Sequence, residues 1–153
     1  MEKELINNKP EVRIAGFIKD TLKLPDTDIK TYSPLTLAFI GDSIFDLIIR
    51  TCVVESGNAP VNKLHKRCAE LVQASAQADL YHKIKDQLTE EESTVFKRGR
   101  NAKSFTSAKN AGVVEYRTAT GLEALMGYLY LTDQMDRLVE LIEPQINKMV
   151  SIS

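Results

Sequence analysis

The sequence predicts an all-α protein, and three observations predict it. Apolar residues recur at helical spacing in every long segment, no segment alternates as a half-buried strand does, and no dipeptide of the Asn-Gly type joins two apolar runs. The valines and isoleucines that could suggest strands follow the helical period instead. At 153 residues the chain is long enough for one domain with a real core and too short for two, and it carries no repeat of solenoid period.

Residues 1–32 form an extension in which Val12, Ile14, Phe17, Ile18 and Leu22 mark an amphipathic helix, broken by LPDTD. A helical domain then spans 33–150. Ser33-Pro34 supplies a cap followed by proline at the first helical position, and the helix from Leu35 to about Val54 should stop before Gly57. Asn58-Ala59-Pro60 is a breaker, after which VNKLHKRCAELV and ASAQADLYHKIKDQL read as two helices parted near Gln73 to Ser75. Thr89 and Glu92 make a capping box for a helix that enters the basic segment FKRGRNAKS, where Gly99 is expected to end it. From about Val113 the chain is helical through Leu131. Asp133 is expected to cap a last amphipathic helix containing Leu138, Leu141, Ile142, Ile146 and Val150.

Composition narrows the functional classes. A hydrophobic fraction of 43% and a charged fraction of 27% are ordinary for a globular protein and argue against disorder and membrane residence. The start, MEKELINNKP, lacks the apolar core of a signal peptide, and no run of roughly 18 apolar residues offers a membrane span. A cytoplasmic protein is therefore expected. The net charge of -1 does not announce a nucleic-acid partner, so any such role must rest on a local basic patch. Cys52 and Cys68 lack CxxC spacing and sit in apolar helical patterns, as reduced structural thiols do. There is no GxSxG elbow, no GxxxxGKS loop and no GxGxxG after a strand.

Three features carry chemistry. In LTLAFIGDSIFDLII apolar residues cover nearly every face of the helix, so it should be buried, and Asp42 and Asp46 lie four apart on one side of it. In GLEALMGYLYL, Glu123 is the one charged residue, flanked by Gly121 and Gly127, which would admit a close neighbour. Two acids on two apolar helices can be neutralised together by a divalent metal if the helices pack. Magnesium needs few protein carboxylates, whereas zinc would want histidines or thiolates, and His65 and His82 have no ligand spacing. The alternative is ordinary ion pairing, Asp42 with Arg50 and Glu123 with Arg117. The third feature is KRGRNAKS, where Lys97, Arg98, Arg100 and Lys103 surround a glycine and suit duplex RNA read by its backbone. A solvated basic loop is the alternative there. Lys63, His65, Lys66 and Arg67 form a less specific group of the same kind.

FIGDSIFDL resembles the signature helix of the ribonuclease III catalytic domain, and LEALMGYLYL resembles its second acidic helix, in the same order. FKRGRNAKS followed by KNAGVVEYRTATGLEALMGYLYL is similar to the Mini-ribonuclease III branch, bacterial proteins made of the catalytic domain alone. The resemblance covers roughly Ser33 to Leu131. It implies an all-α homodimer whose two centres line a valley for double-stranded RNA, each cutting one strand to leave a 5′-phosphate and a 3′-hydroxyl. It also implies Mg²⁺ as cofactor, with Mn²⁺ able to substitute, held by Asp42 and Glu123 as the catalytic, metal-binding acids. Asp46 and Thr120 would support them from behind. Lys66, Lys97, Arg98, Arg100, Asn101, Lys103, Ser104 and Lys109 would contact RNA. The implied substrate is precursor large-subunit (23S) ribosomal RNA. Larger ribonuclease III enzymes carry glutamates where this chain has Leu35 and Ala38, and an acid where it has Thr120, so those roles do not transfer. The chain also ends without room for an appended RNA-binding domain. Two other readings compete: a non-cutting ribonuclease III-like RNA-binding protein of ribosome assembly, and a helical oligomerisation protein. Retention of both acids favours the enzyme.

Overall fold

The computed structural model describes residues 12–102 and 112–150. They form seven α-helices and no strand: α1 Ile14–Thr21, α2 Pro34–Glu55, α3 Val61–Val72, α4 Ala74–Ile84, α5 Glu90–Asn101, α6 Gly112–Leu131 and α7 Met135–Val150. Among the described residues no helix is long and apolar enough to cross a membrane.

Local signals start the helices as the sequence predicts. The Ser33 hydroxyl accepts the Thr36 N–H at 3.1 Å with Pro34 at the first turn of α2. At α5 the capping box closes both ways, Glu92 N–H to Thr89 Oγ1 at 3.1 Å and Thr89 N–H to Glu92 Oε1 at 2.9 Å. The chain turns from α3 into α4 at Gln73, where the backbone is extended.

α6 is the central helix, packed by α2, α4, α5 and α7. The reason lies in its composition: Thr118 to Leu122, Ala124 to Gly127 and Leu129 are all buried, so it has no polar stripe to offer water. Leu122, Leu125, Met126 and Leu129 meet Phe45 and Ile49 of α2, Leu80 and Ile84 of α4, and Leu138, Leu141 and Ile142 of α7 in one core. Arg137 ties α7 to α5 through Glu92, with Nη2 to Oε1 at 2.9 Å, and also donates to the Gln87 carbonyl at 2.9 Å. That guanidinium holds the buried Glu92 carboxyl below the usual carboxylate range. Arg67 of α3 is similarly spent, donating to the Val150 carbonyl at 2.7 Å.

Glycines set how closely α2 and α6 approach. A Cβ on Gly41 would stand 1.7 Å from the Glu123 carbonyl oxygen, and one on Gly127 would stand 2.0 Å from the Leu37 carbonyl oxygen. Both obstacles are helix backbone, which cannot swing aside. Gly41→Ala is accordingly expected to cost about 3 kcal/mol or more, seen as a fall in the urea midpoint at unchanged slope. A midpoint within error of the parent would show that the two helices have room to part.

Three expectations are corrected. Gly99 does not end α5, which continues to Asn101, because Gly99 is buried against α6 and is kept small for that contact. Asp133 does not cap α7. It closes α6, with φ of +56°, while Gln134 N–H bonds back to the Leu129 carbonyl at 2.7 Å. Its carboxylate turns to α1, accepting the Gly16 N–H at 2.9 Å beside Arg13 at 3.7 Å. Finally, α2 is buried on one side only. Leu35, Phe39, Leu47 and Val54 are exposed, Phe39 at 79%, since α6 covers the face of Leu37, Gly41, Ile44 and Phe45 and, among the described residues, no element covers the other.

Candidate active site

Asp42 follows Gly41, and Gly41 lies on the Glu123 carbonyl, so the closest contact between α2 and α6 brings these two acids together. They are not equally buried: Asp42 is exposed, which corrects the expectation of a buried aspartate, and Glu123 is partly buried. The Glu123 carboxyl is pushed up to about 8, first by burial, then by a hydrogen bond shared with the Asp42 carboxyl, then by the charge of Asp42. One proton shared between two carboxyl groups lets them sit in hydrogen-bond contact without the full repulsion of two like charges.

The ion pairs considered for them do not form. Arg50 pairs instead with Asp46, one turn along α2, at 2.9 Å. Among the described residues no ion pair joins Asp42 or Glu123 to a base. The donor set is two carboxyl groups with no histidine or thiol among the groups that meet, which suits a hard divalent cation that keeps much of its water. No group of three or more His, Cys, Asp and Glu side chains placed to hold a metal occurs among the described residues. Leu35 and Ala38 supply no oxygen here. The buried Thr120 hydroxyl gives its proton to the Tyr116 carbonyl at 3.0 Å, which leaves its oxygen lone pairs free only to accept.

Beside this pair runs the last half of α5. A Cβ on Gly99 would be 2.7 Å from the Ala124 Cβ and 3.0 Å from the Gly121 Cα, and one on Gly121 would be 2.7 Å from the Phe96 ring. α5 therefore rests on the residues that bracket Glu123. Phe96 in turn stacks on Tyr81 of α4, ring centroids 3.7 Å apart, and the Arg100 guanidinium lies over Phe96 at 5.8 Å. Arg100 is thus half-buried and also donates to Asn101 Oδ1 at 3.2 Å, whereas Lys97, Arg98 and Asn101 are exposed. Lys66 is exposed on α3, away from the engaged Arg67. Lys103, Ser104 and Lys109 lie outside the described residues. Gly41 and Gly99 were missed as site-building residues. The signal available was a glycine inside an otherwise good helical pattern, in the case of Gly41 directly before the candidate acid.

A family model described as the ribonuclease III domain matches residues 35–134. Relatives named Mini-ribonuclease 3 include one from Thermoanaerobacter sp., 47% identical over 87% of this chain and 94% of its own length. One from Enterococcus faecalis is 50% identical over 79% of this chain and 93% of its own length. The crystal structure of a protein from Fusobacterium nucleatum superposes with a TM-score of 0.71 at 36% identity, covering 80% of this chain and 98% of that one.

Proposed function

The chain belongs to the ribonuclease III family, and on that premise we propose that it is a Mg²⁺-dependent endoribonuclease of double-stranded RNA. The observation that carries the proposal is the Asp42–Glu123 carboxyl pair, held in contact by the glycine-mediated packing of α2 on α6 and lacking a protein cation among the described residues. Mg²⁺ bound there, or Mn²⁺ in its place, would supply an activated water and stabilise the attacking and leaving oxygens of the phosphodiester. Asp42 and Glu123 would hold such a cation, and Glu123, its carboxyl raised to about 8, would have to give up its proton to do so. Thr120 and Asp46 would lie outside the pair of ligands, the threonine oxygen able to accept from a bound water and the Asp46 carboxylate paired with Arg50. Lys66 on α3 and Lys97, Arg98 and Asn101 on α5 face solvent where a phosphate backbone can be met, and Arg100, lying over Phe96, belongs to the same last turns of α5. Lys103, Ser104 and Lys109 continue the same basic segment in sequence.

The substrate we assign is a structured ribosomal RNA precursor, the stem pairing the ends of 23S RNA, processed in the cytoplasm. Support comes from the likeness to the relatives named Mini-ribonuclease 3. Residues 33–150 would be the catalytic unit and 1–32 an extension, in keeping with a family match that begins at 35. The test is cleavage of duplex RNA with Mg²⁺, set against single-stranded RNA, duplex DNA and chelator. Products with 5′-phosphates from the duplex alone are expected. Tight, salt-sensitive binding with no cutting under any divalent metal would establish the non-cutting RNA-binding alternative instead.

The active unit in this proposal is a homodimer, and the exposed stripe Leu35, Phe39, Leu47 and Val54 supports it. These apolar residues flank Asp42 and Asp46 on α2, and a second copy is what the family resemblance would place against them. Phe39→Glu is expected to convert the dimer to monomer at micromolar concentration in sedimentation velocity, with duplex cleavage lost alongside. An unchanged sedimentation coefficient would remove this stripe from the interface.

A further inference from the structure

The ion pair of Asp46 and Arg50 has no evident use in stability. Both side chains are half-exposed, and exposed pairs one helical turn apart add little to folding. Yet it stands one turn from Asp42, on the same face of α2, where side chains four residues apart are neighbours. An unpaired carboxylate at 46 would face the Asp42–Glu123 pair as a third negative ligand. Instead Arg50 Nε holds Asp46 Oδ2 at 2.9 Å from the next turn, on the side away from Asp42. Arg50 also lines a cleft of about 150 Å³ with Val53, Val54, Leu64, His65 and Cys68, between α2 and α3, against which its aliphatic stem can lie.

We infer that Arg50 is a positioning residue of the metal centre, drawing the Asp46 carboxylate along α2 so that Asp42 and Glu123 alone bind the cation directly. This rests on the assignment of those two acids as the metal centre. Its consequence is a centre that holds the cation weakly and leaves coordination positions for water and phosphate, which a third carboxylate would fill.

Mn²⁺ alone, titrated into the full chain without RNA and followed by electron paramagnetic resonance, tests the inference. Arg50→Ala is expected to bind Mn²⁺ about tenfold more tightly than the parent, as a freed charge near the ion should produce. Arg50→Ala combined with Asp46→Asn should return to the parent affinity, and Arg50→Lys should stay close to it. A merely structural role would move none of these affinities in that pattern. Equal affinity of parent and Arg50→Ala, with binding still lost in Asp42→Asn, would overturn the positioning role and leave the metal centre standing. No Mn²⁺ binding by the parent would overturn both.

Discussion

Asp42→Asn and Glu123→Gln are each expected to reduce Mg²⁺-dependent duplex cleavage by about 10³-fold or more, while RNA binding in the absence of cleavage changes by less than about threefold. The first figure corresponds to about 4 kcal/mol of transition-state stabilisation, the scale of what one divalent cation contributes to charge developing on phosphate oxygens. The second follows from the proposal that exposed basic side chains such as Lys97 and Arg98 on α5, not the acids, carry binding. The double variant should be no worse than either single one, since both acids serve one cation and its loss can be counted only once. Folding is not the explanation available for these losses. Each substitution removes one member of a pair in which burial first, and then the hydrogen bond and charge of Asp42, already keep Glu123 protonated to about 8, so the metal-free variants should melt at or above the parent. The measurement is single-turnover cleavage of a labelled duplex at saturating Mg²⁺, with filter binding in Ca²⁺. Parent-like rates in either variant would sink the assignment of that residue.

What could be read in the sequence was what depends on neighbours along the chain. Ser33-Pro34 and Thr89–Glu92 announce helix starts because the groups that satisfy one another are three residues apart. The central helix α6 is legible for the same local reason, a run in which Glu123 alone is charged. Gly99 and Asp133 were misassigned because their roles are tertiary. A glycine near the end of a basic segment looks like a helix stop until α6 is seen to fill the place of its side chain. An aspartate before an apolar helix looks like its cap until it is found in the left-handed turn that ends the preceding one, bonded to Gly16. The exposure of α2 was invisible for a different reason. Leu35, Phe39 and Leu47 are as apolar as Ile44 and Phe45, and composition does not distinguish a face covered by the same chain from one left open. The pairing of Asp42 with Glu123 was legible as a pair of misplaced charges, but which of them is buried, and that Arg50 serves Asp46 instead, required the packing of α2 on α6 and the side-chain geometry along α2.

The metal-free protein is expected to lose stability as pH rises from about 5 to about 8, and Mg²⁺ or Mn²⁺ is expected to cancel much of that loss. The sign follows from Glu123. Its ordinary value is 4.5, and in the folded chain it is raised to about 8, so between those values the folded state binds a proton that the unfolded state does not. Stability from such a group is fully present below 4.5 and disappears as pH climbs through about 8. The whole interval sets a ceiling of about 5 kcal/mol, and because Glu123 is only partly buried, about 2 kcal/mol is the expected size. Glu92 works in the opposite sense, its carboxyl being lowered by Arg137, but its contribution is lost only below the ordinary carboxylate range and so falls outside this window. Above pH 8 the metal-bound state no longer competes with a proton for Glu123, and saturation at about 100 times the dissociation constant would restore about 2.7 kcal/mol. Scanning calorimetry at about pH 5.5, 7 and 8.5, with chelator and with Mg²⁺, measures both effects. Asp42→Asn should make the chelator series less steep without flattening it, because Asp42 supplies the second and third causes of the shift while burial, the first, remains, and should abolish the response to metal. A melting temperature independent of pH in chelator would mean that Glu123 is ionised throughout, and that no shared proton joins the two carboxyl groups.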